Sequence, residues 1–368
     1  MKILLVGEYS NVHWTLAEGL RALGHQVVVV SDGDVWKNYP RDIDIRRRSL
    51  GRWDTLRFLL RLERVFADLR GFDVVQLINP VFLDLKAERI TRYYEKLRRH
   101  NGKIILGAYG MDTYWVRASL DCQTFRYSDF NLGSQERHSP ELDAQINDWT
   151  GGTAKEALNL RIAQECDGIV AGLYEYYRAY QPHWADKLAY IPSPIRIDEA
   201  YQPHLSLMEQ GKVHFFIGIQ STRNVYKGTD IMLSALEQLE HDYPQQVVVH
   251  RAQNVPFSTY QQMINSSDVL LDQLYSYTPA MNGLLAMSHG LVLVGGGEPE
   301  HYELLGEEEL RPIVNVLPTE ESVYAELQRL VLHHEAIPAL KEQGIAFVRR
   351  HHDYRRVAQQ YIDFWTSL

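Results

Sequence analysis

Two cations and a glycine mark the place where this chain could handle a phosphorylated ligand. Lys227 precedes Gly228 at the start of an expected helix, and Arg223 lies in the same loop. Positive side chains converging on a helix N-terminus stabilise a diphosphate, because free amides and guanidinium or ammonium donors address the same oxygens. A solvated surface lysine is the plainer alternative for Lys227. Downstream, DVLLDQLYSYTPAMNGLLAMSHGLVLVGGGEPE (268–300) joins a strand, a loop, a helix start and a second strand. In an open parallel sheet ligands gather beyond the strand C-termini, so 275–283 is a candidate ligand wall. Its polar groups are Asp272, Gln273, Tyr277, Thr278 and Asn282, and Gly283 would let a ligand approach the backbone closely. Capping or packing of the helix start is the competing role for Tyr277 and Asn282.

A second cluster follows the first strand. Gly7 permits a tight loop that carries Glu8, Tyr9, Ser10, Asn11 and His13. A lone glycine is not the G-x-G-x-x-G of a dinucleotide site, so nicotinamide chemistry is not expected. Tyr109 and Asp112 stand after a later strand; Asp112 could bind a sugar hydroxyl or cap the next helix. Glu298 and Glu300 follow a triple glycine, and surface solvation is the plain reading of Glu298. His351 and His352 lack a carboxylate at metal-ligand spacing, so no metal is expected.

Positioning these groups requires alternating strands and helices. Apolar runs at 2–6, 26–31, 73–78, 103–108, 168–171 and 188–191 read as buried parallel strands, with helices over 12–23, 53–70, 86–100 and 153–165 between them. The proline-bearing stretch IPSPIRIDEAYQPHLSLMEQ (191–210) reads as a linker. A second alternation has strands at 213–217, 246–250, 269–271, 291–294 and 313–316, and closes with helices from 319 to 363. The expected fold is α/β, with two Rossmann-like domains of parallel sheet. The expected boundaries are 1–196, 197–350 and a terminal helix in 351–368.

Composition narrows the class. At 368 residues two domains are the default, and 45% hydrophobic with 23% charged residues is ordinary for a globular protein. The two cysteines, Cys122 and Cys166, have no close partner, which argues against a disulfide framework and fits a reducing cytoplasm. The apolar run at the N-terminus is too short for a signal segment. A net charge of −9 argues against general nucleic-acid affinity. Between Arg41 and Lys103, however, 16 Lys or Arg face 9 Asp or Glu, and the amphipathic stretch 53–70 lies inside. That helix is either a surface helix with a solvated basic face or a face resting on anionic lipid or a lipid-linked acceptor.

FFIGIQSTRNVYKGTDIMLSALEQL, VPFSTYQQMINSSDVLLDQLYS and NGLLAMSHGLVLVGGGEPE, in this order and spacing, resemble the C-terminal domain of retaining family 4 glycosyltransferases of the two-domain GT-B fold. GEYSNVHWTLAEGLRALGHQVVVV, AYGMDTYW and IPSPIRID resemble that family's first loop, the segment after its fourth strand and its "IPNGID" motif. The resemblance implies two domains facing across a cleft and transfer of a hexose, with retention, from a nucleotide diphosphate sugar, UDP- or GDP-linked, to a hydroxyl of a glycan or lipid-linked acceptor. No cofactor beyond that co-substrate is implied. Lys227 would stabilise the leaving diphosphate, with Asp112 the other catalytic candidate. Arg223, Gly228, Tyr277, Thr278, Asn282, Gly283 and Glu300 would bind the donor. Gly7, Asn11, His13 and Tyr109 would line the acceptor side, Tyr109 near a place where relatives carry His. The chain departs from the family at Tyr277 and Leu285, which stand where two glutamates usually fix the donor sugar and the ribose. A specialised donor pocket and a noncatalytic scaffold are both open at this point. The expected location is the cytoplasm, with peripheral contact to the inner face of the membrane through residues 41–103.

Overall fold

The structure is a computed structural model and describes residues 1–49, 51–219, 227–253, 255 and 257–368. By contacts the chain divides into two compact units. Unit 1 holds Met1–Thr124, His138–Pro194 and Tyr354–Leu368; unit 2 holds Phe125–Arg137 and Ile195–Asp353. The excursion Phe125–Arg137 has no counterpart in the sequence reading.

In chain order the early strands are β1 (Lys2–Val6), β2 (Gln26–Ser31), β3 (Ile43–Asp44), β4 (Val74–Leu77) and β5 (Lys103–Ala108). The hairpin strands β6 (Asn131–Leu132) and β7 (Gln135–Glu136) follow, then β8 (Gly168–Ala171) and β9 (Leu188–Tyr190). The sheet of unit 1 is parallel throughout, in the order β3-β2-β1-β4-β5-β8-β9. Every residue of β4 and β8 is buried, as a parallel sheet covered on both faces requires. The terminal helix Tyr354–Ser367 buries Val357, Ala358, Tyr361 and Trp365 in the same core as Ile3, Leu5 and Leu16. Lys103 secures its end by donating to the Trp365 carbonyl at 2.7 Å.

Unit 2 has strands β10 (Val213–Ile219), β11 (Val247–Gln253), β12 (Val269–Leu271), β13 (Val292–Gly295) and β14 (Val314–Asn315). They form a parallel sheet in the order β11-β10-β12-β13-β14. The order reverses direction between β10 and β12, so the ligand crevice of such a sheet lies beyond the C-terminal ends of these two strands. Phe216, Leu270, Leu284, Met287, Leu293 and Phe347 make the core beneath it.

The expected linker is not loose. Asp268 and Lys341, both fully buried, pair at 2.8 Å; Lys341 also donates to the Ser206 carbonyl at 2.8 Å, and Asp268 accepts from the backbone N–H of Met208 and His214, each at 3.0 Å. These bonds hold 206–208 against the sheet. The helices Pro140–Thr150 and Tyr174–Trp184 add to those expected; the aromatic-rich sequence and internal Pro182 of the second give a weak helical signal.

Candidate functional site

Lys227 immediately precedes Gly228, the N-cap of the helix Thr229–Asp242 that follows β10 in unit 2. Gly228 follows with φ 68°, a left-handed conformation that favours glycine, and a Cβ there would stand 2.6 Å from that of Leu274. The Lys227 carbonyl accepts from the Leu274 N–H at 3.0 Å, so the loop after β12 lies directly over the helix start. Lys227 is half-buried and makes no ion pair within 4 Å to a described residue. Arg223 lies outside the described residues.

Asp272 occupies the other helix start. Its carboxyl accepts from the Asn282 side chain and the Gly283 N–H at the beginning of the helix Met281–Ser288. Burial raises its pKa, and the charge of Lys227 is the leading opposing influence. At this helix start the Gly283 amide is thus already addressed by an internal carboxyl. Asn282 also accepts from the Tyr260 hydroxyl at 3.4 Å. Gly283 serves packing rather than ligand approach, since a Cβ there would meet Leu293 Cδ2 at 2.8 Å. Leu285, on the same helix, is 43% exposed.

Tyr277 is 2% exposed and belongs to the packing of the Phe125–Arg137 excursion. Its ring stacks on Tyr127 with centroids 4.9 Å apart and meets the edge of Phe125 at 5.9 Å. Its hydroxyl accepts from the Arg126 N–H and its ring meets Tyr127 and the Arg126 guanidinium, so these groups are engaged within unit 2. Thr278 is likewise buried, and its carbonyl accepts from the Ser276 hydroxyl at 2.6 Å.

The acid pair is internal too. Glu298 is 5% exposed and accepts from Arg126 Nη2 at 2.8 Å, the Tyr127 hydroxyl at 2.5 Å and Asn315 Nδ2 at 3.0 Å. Surface solvation is thus wrong for Glu298. Glu300 pairs with both terminal nitrogens of Arg126. Burial works against its charge, but the Arg126 guanidinium holds its carboxyl below the usual range. No sequence signal ties Arg126 to positions 298 and 300, because the pairing spans more than 170 residues.

In unit 1, Gly7 ends β1 with φ 85°, pressed against Ile78. The fully buried His13 has Nδ1 2.8 Å from the Gly7 carbonyl, and burial pushes its pKa down to about 3. Glu8 accepts from the N–H groups of His13 at 3.2 Å and Trp14 at 2.9 Å, yet burial pushes its carboxyl up to about 8. Asn11 adopts φ 71° and donates to the Thr15 hydroxyl at 3.2 Å. Asp112 fills the capping role of the two open to it: wholly buried, it accepts from Trp115 N–H at 2.9 Å and the Tyr180 hydroxyl at 2.8 Å. Those bonds only partly offset the burial that raises its pKa to about 6. Both oxygens of Asp112 are thus committed inside unit 1. The Tyr109 hydroxyl pairs with that of Tyr361 on the terminal helix. Among the described residues no group of three or more His, Cys, Asp or Glu side chains is arranged to hold a metal ion.

Residues 217–363 match a family described as glycosyl transferase-like. No curated protein matches the chain in sequence. Among solved structures, a sucrose-phosphate synthase from Thermosynechococcus elongatus is similar at TM-score 0.62 and 12% identity, covering 100% of this chain and 99% of that one. Anabaena HepE in complex with UDP and glucose gives 0.62 and 13%, with 100% of both chains covered. The catalytic domain of Arabidopsis thaliana Starch Synthase IV bound to ADP and acarbose gives 0.56 and 11%, over 100% of this chain and 99% of that one. The chain thus has the α/β fold of two Rossmann-like domains seen in GT-B glycosyltransferases.

Proposed function

We propose that this chain is a glycosyltransferase that moves a hexose from a nucleotide diphosphate sugar to a hydroxyl acceptor with retained anomeric configuration. One observation carries the reading: Lys227 and Gly228 stand at a helix start beyond the switch point of the glycosyl transferase-like region. Lys227 and the first amides of Thr229–Asp242 would take up the charge of the leaving diphosphate. In the reaction the bond between the anomeric carbon and the phosphate oxygen breaks, the acceptor oxygen bonds to that carbon on the same face, and its proton passes to the departing diphosphate. No protein nucleophile is needed, which suits a site whose carboxyls at 272, 298 and 300 are engaged in the fold. Metal independence, a UDP- or GDP-linked donor and a glycan or lipid-linked acceptor complete the proposal.

The second reading is a noncatalytic GT-B-like nucleotide-sugar-binding or scaffold protein, and a specific observation favours it: Tyr277 is buried and Leu285 offers no acceptor where the resembling family has glutamates. A panel of nucleotide sugars separates the two. Slow release of UDP or GDP from one donor supports transfer; no binding of any donor supports the scaffold.

A further inference from the structure

The helix Arg52–Asp68 carries apolar side chains on two faces. Phe58, Leu62 and Phe66 are buried in unit 1, where Phe66 meets Tyr93 with ring centroids 4.7 Å apart. One such stripe is enough to seat a surface helix. A second stripe faces outward: Trp53 is 78% exposed, Leu56 47% and Leu60 51%. Their spacing of three and four residues keeps them in one row along the helix. A solvated basic face does not account for three large apolar groups held in water.

The charges around that row are mostly positive. Arg52, Arg57 and Arg64 are exposed beside it, and Arg48 is exposed just before the helix. Arg47 donates to the Thr55 hydroxyl at 2.7 Å and Arg61 to the Arg46 carbonyl at 2.6 Å, which fastens the basic loop to the helix. Of the acidic groups, Asp54 lies 3.8 Å from Arg57, Glu63 is engaged by Arg92 and Lys96, and Asp68 stands at the far end.

We propose that this helix docks the protein on a membrane surface that carries anionic phospholipid. The Trp53 indole suits the headgroup level, Leu56 and Leu60 the acyl boundary beneath it, and the arginines the lipid phosphates. Charge complementarity selects this occupant over a second copy of the chain, which would bring the same arginines into opposition. No helix among the described residues is long and apolar enough to cross a membrane. The proposal does not depend on nucleotide-sugar binding.

The test is cosedimentation of the full chain with vesicles of phosphatidylcholine mixed with phosphatidylglycerol, against phosphatidylcholine alone. The mixed vesicles are expected to bind at least about tenfold more tightly, with the preference fading as salt is raised. The combined variant Trp53→Ser, Leu56→Ser, Leu60→Ser should lose about tenfold or more in binding with its thermal unfolding unchanged, because the three side chains are exposed. Arg57→Gln with Arg64→Gln should lower the preference for the anionic vesicles. Equal binding by wild type and the serine variant, equal binding to the two vesicle types, or self-association that the serine variant abolishes would each overturn the proposal.

Discussion

The Tyr277 hydroxyl accepts a hydrogen bond from the Arg126 backbone N–H at 2.7 Å, and the Arg126 guanidinium lies over the Tyr277 ring, 4.9 Å from its centroid. The same guanidinium reaches Glu298 and Glu300. Tyr277 is therefore the floor on which the excursion Phe125–Arg137 rests. Tyr277→Phe leaves the Arg126 N–H without its acceptor and should cost about 1–3 kcal/mol. Tyr277→Ala also loses the stack on Tyr127 and should cost about 3–5 kcal/mol. Urea unfolding measures both, and limited proteolysis should show faster cleavage within 125–137. A Tyr277→Phe variant as stable as wild type would remove the hydroxyl from this role.

Restoring carboxylates separates the two departures from the family pattern. Leu285 is exposed, so Leu285→Glu should change stability by less than about 0.5 kcal/mol. Tyr277→Glu would set a short carboxylate among Tyr127, Glu298 and Glu300 in place of a buried ring, and should unfold at clearly lower urea. Under the donor-binding account Leu285→Glu also tightens nucleotide binding, which calorimetry reads directly. Unchanged affinity would show that this position no longer faces the ribose.

Glu8 gives a pH dependence with a definite sign. Burial holds its carboxyl protonated to about pH 8 in the fold, against a usual value of 4.5. Its contribution to stability is thus fully present below about pH 4.5 and is lost as pH rises through about 8. Relative to wild type, Glu8→Gln should gain stability as pH is raised across this window. Thermal unfolding of both proteins from pH 5 to 9 tests this, and a constant difference between them would contradict it.

The pair Asp268–Lys341 is fully enclosed in unit 2 and also holds the 206–208 backbone. Removing one partner strands the other charge. Lys341→Met should cost about 3–5 kcal/mol in urea unfolding. The double change Asp268→Leu with Lys341→Met should cost less than the sum of the single changes, and strict additivity would argue against coupling.

The positions of most strands were legible because parallel strands buried on both faces announce themselves as short, mostly apolar runs such as VVQL and GIVA. The Lys227–Gly228 helix start was legible for a similar reason: a left-handed residue between strand and helix selects glycine. Asp112 carried its own signal too, since an aspartate before Thr113–Leu120 is a cap in plain view. The roles of Tyr277, Glu298 and Glu300 were not legible. Their partners Arg126 and Tyr127 lie more than 150 residues away, in a stretch whose only regular structure is a short hairpin. Asp272 was read as a polar loop residue, and only the fold brings its carboxyl onto the amide of Gly283.

Calorimetric titration of UDP, GDP and their sugars into wild type and Lys227→Ala tests the central claim most directly. Saturable binding of one nucleoside diphosphate is expected, weakened about 30- to 150-fold in Lys227→Ala if the charge-assisted contact contributes roughly 2–3 kcal/mol. Thermal unfolding of the unliganded variant should match wild type. Binding that survives the substitution undiminished, or no binding of any member of the panel, would contradict the account.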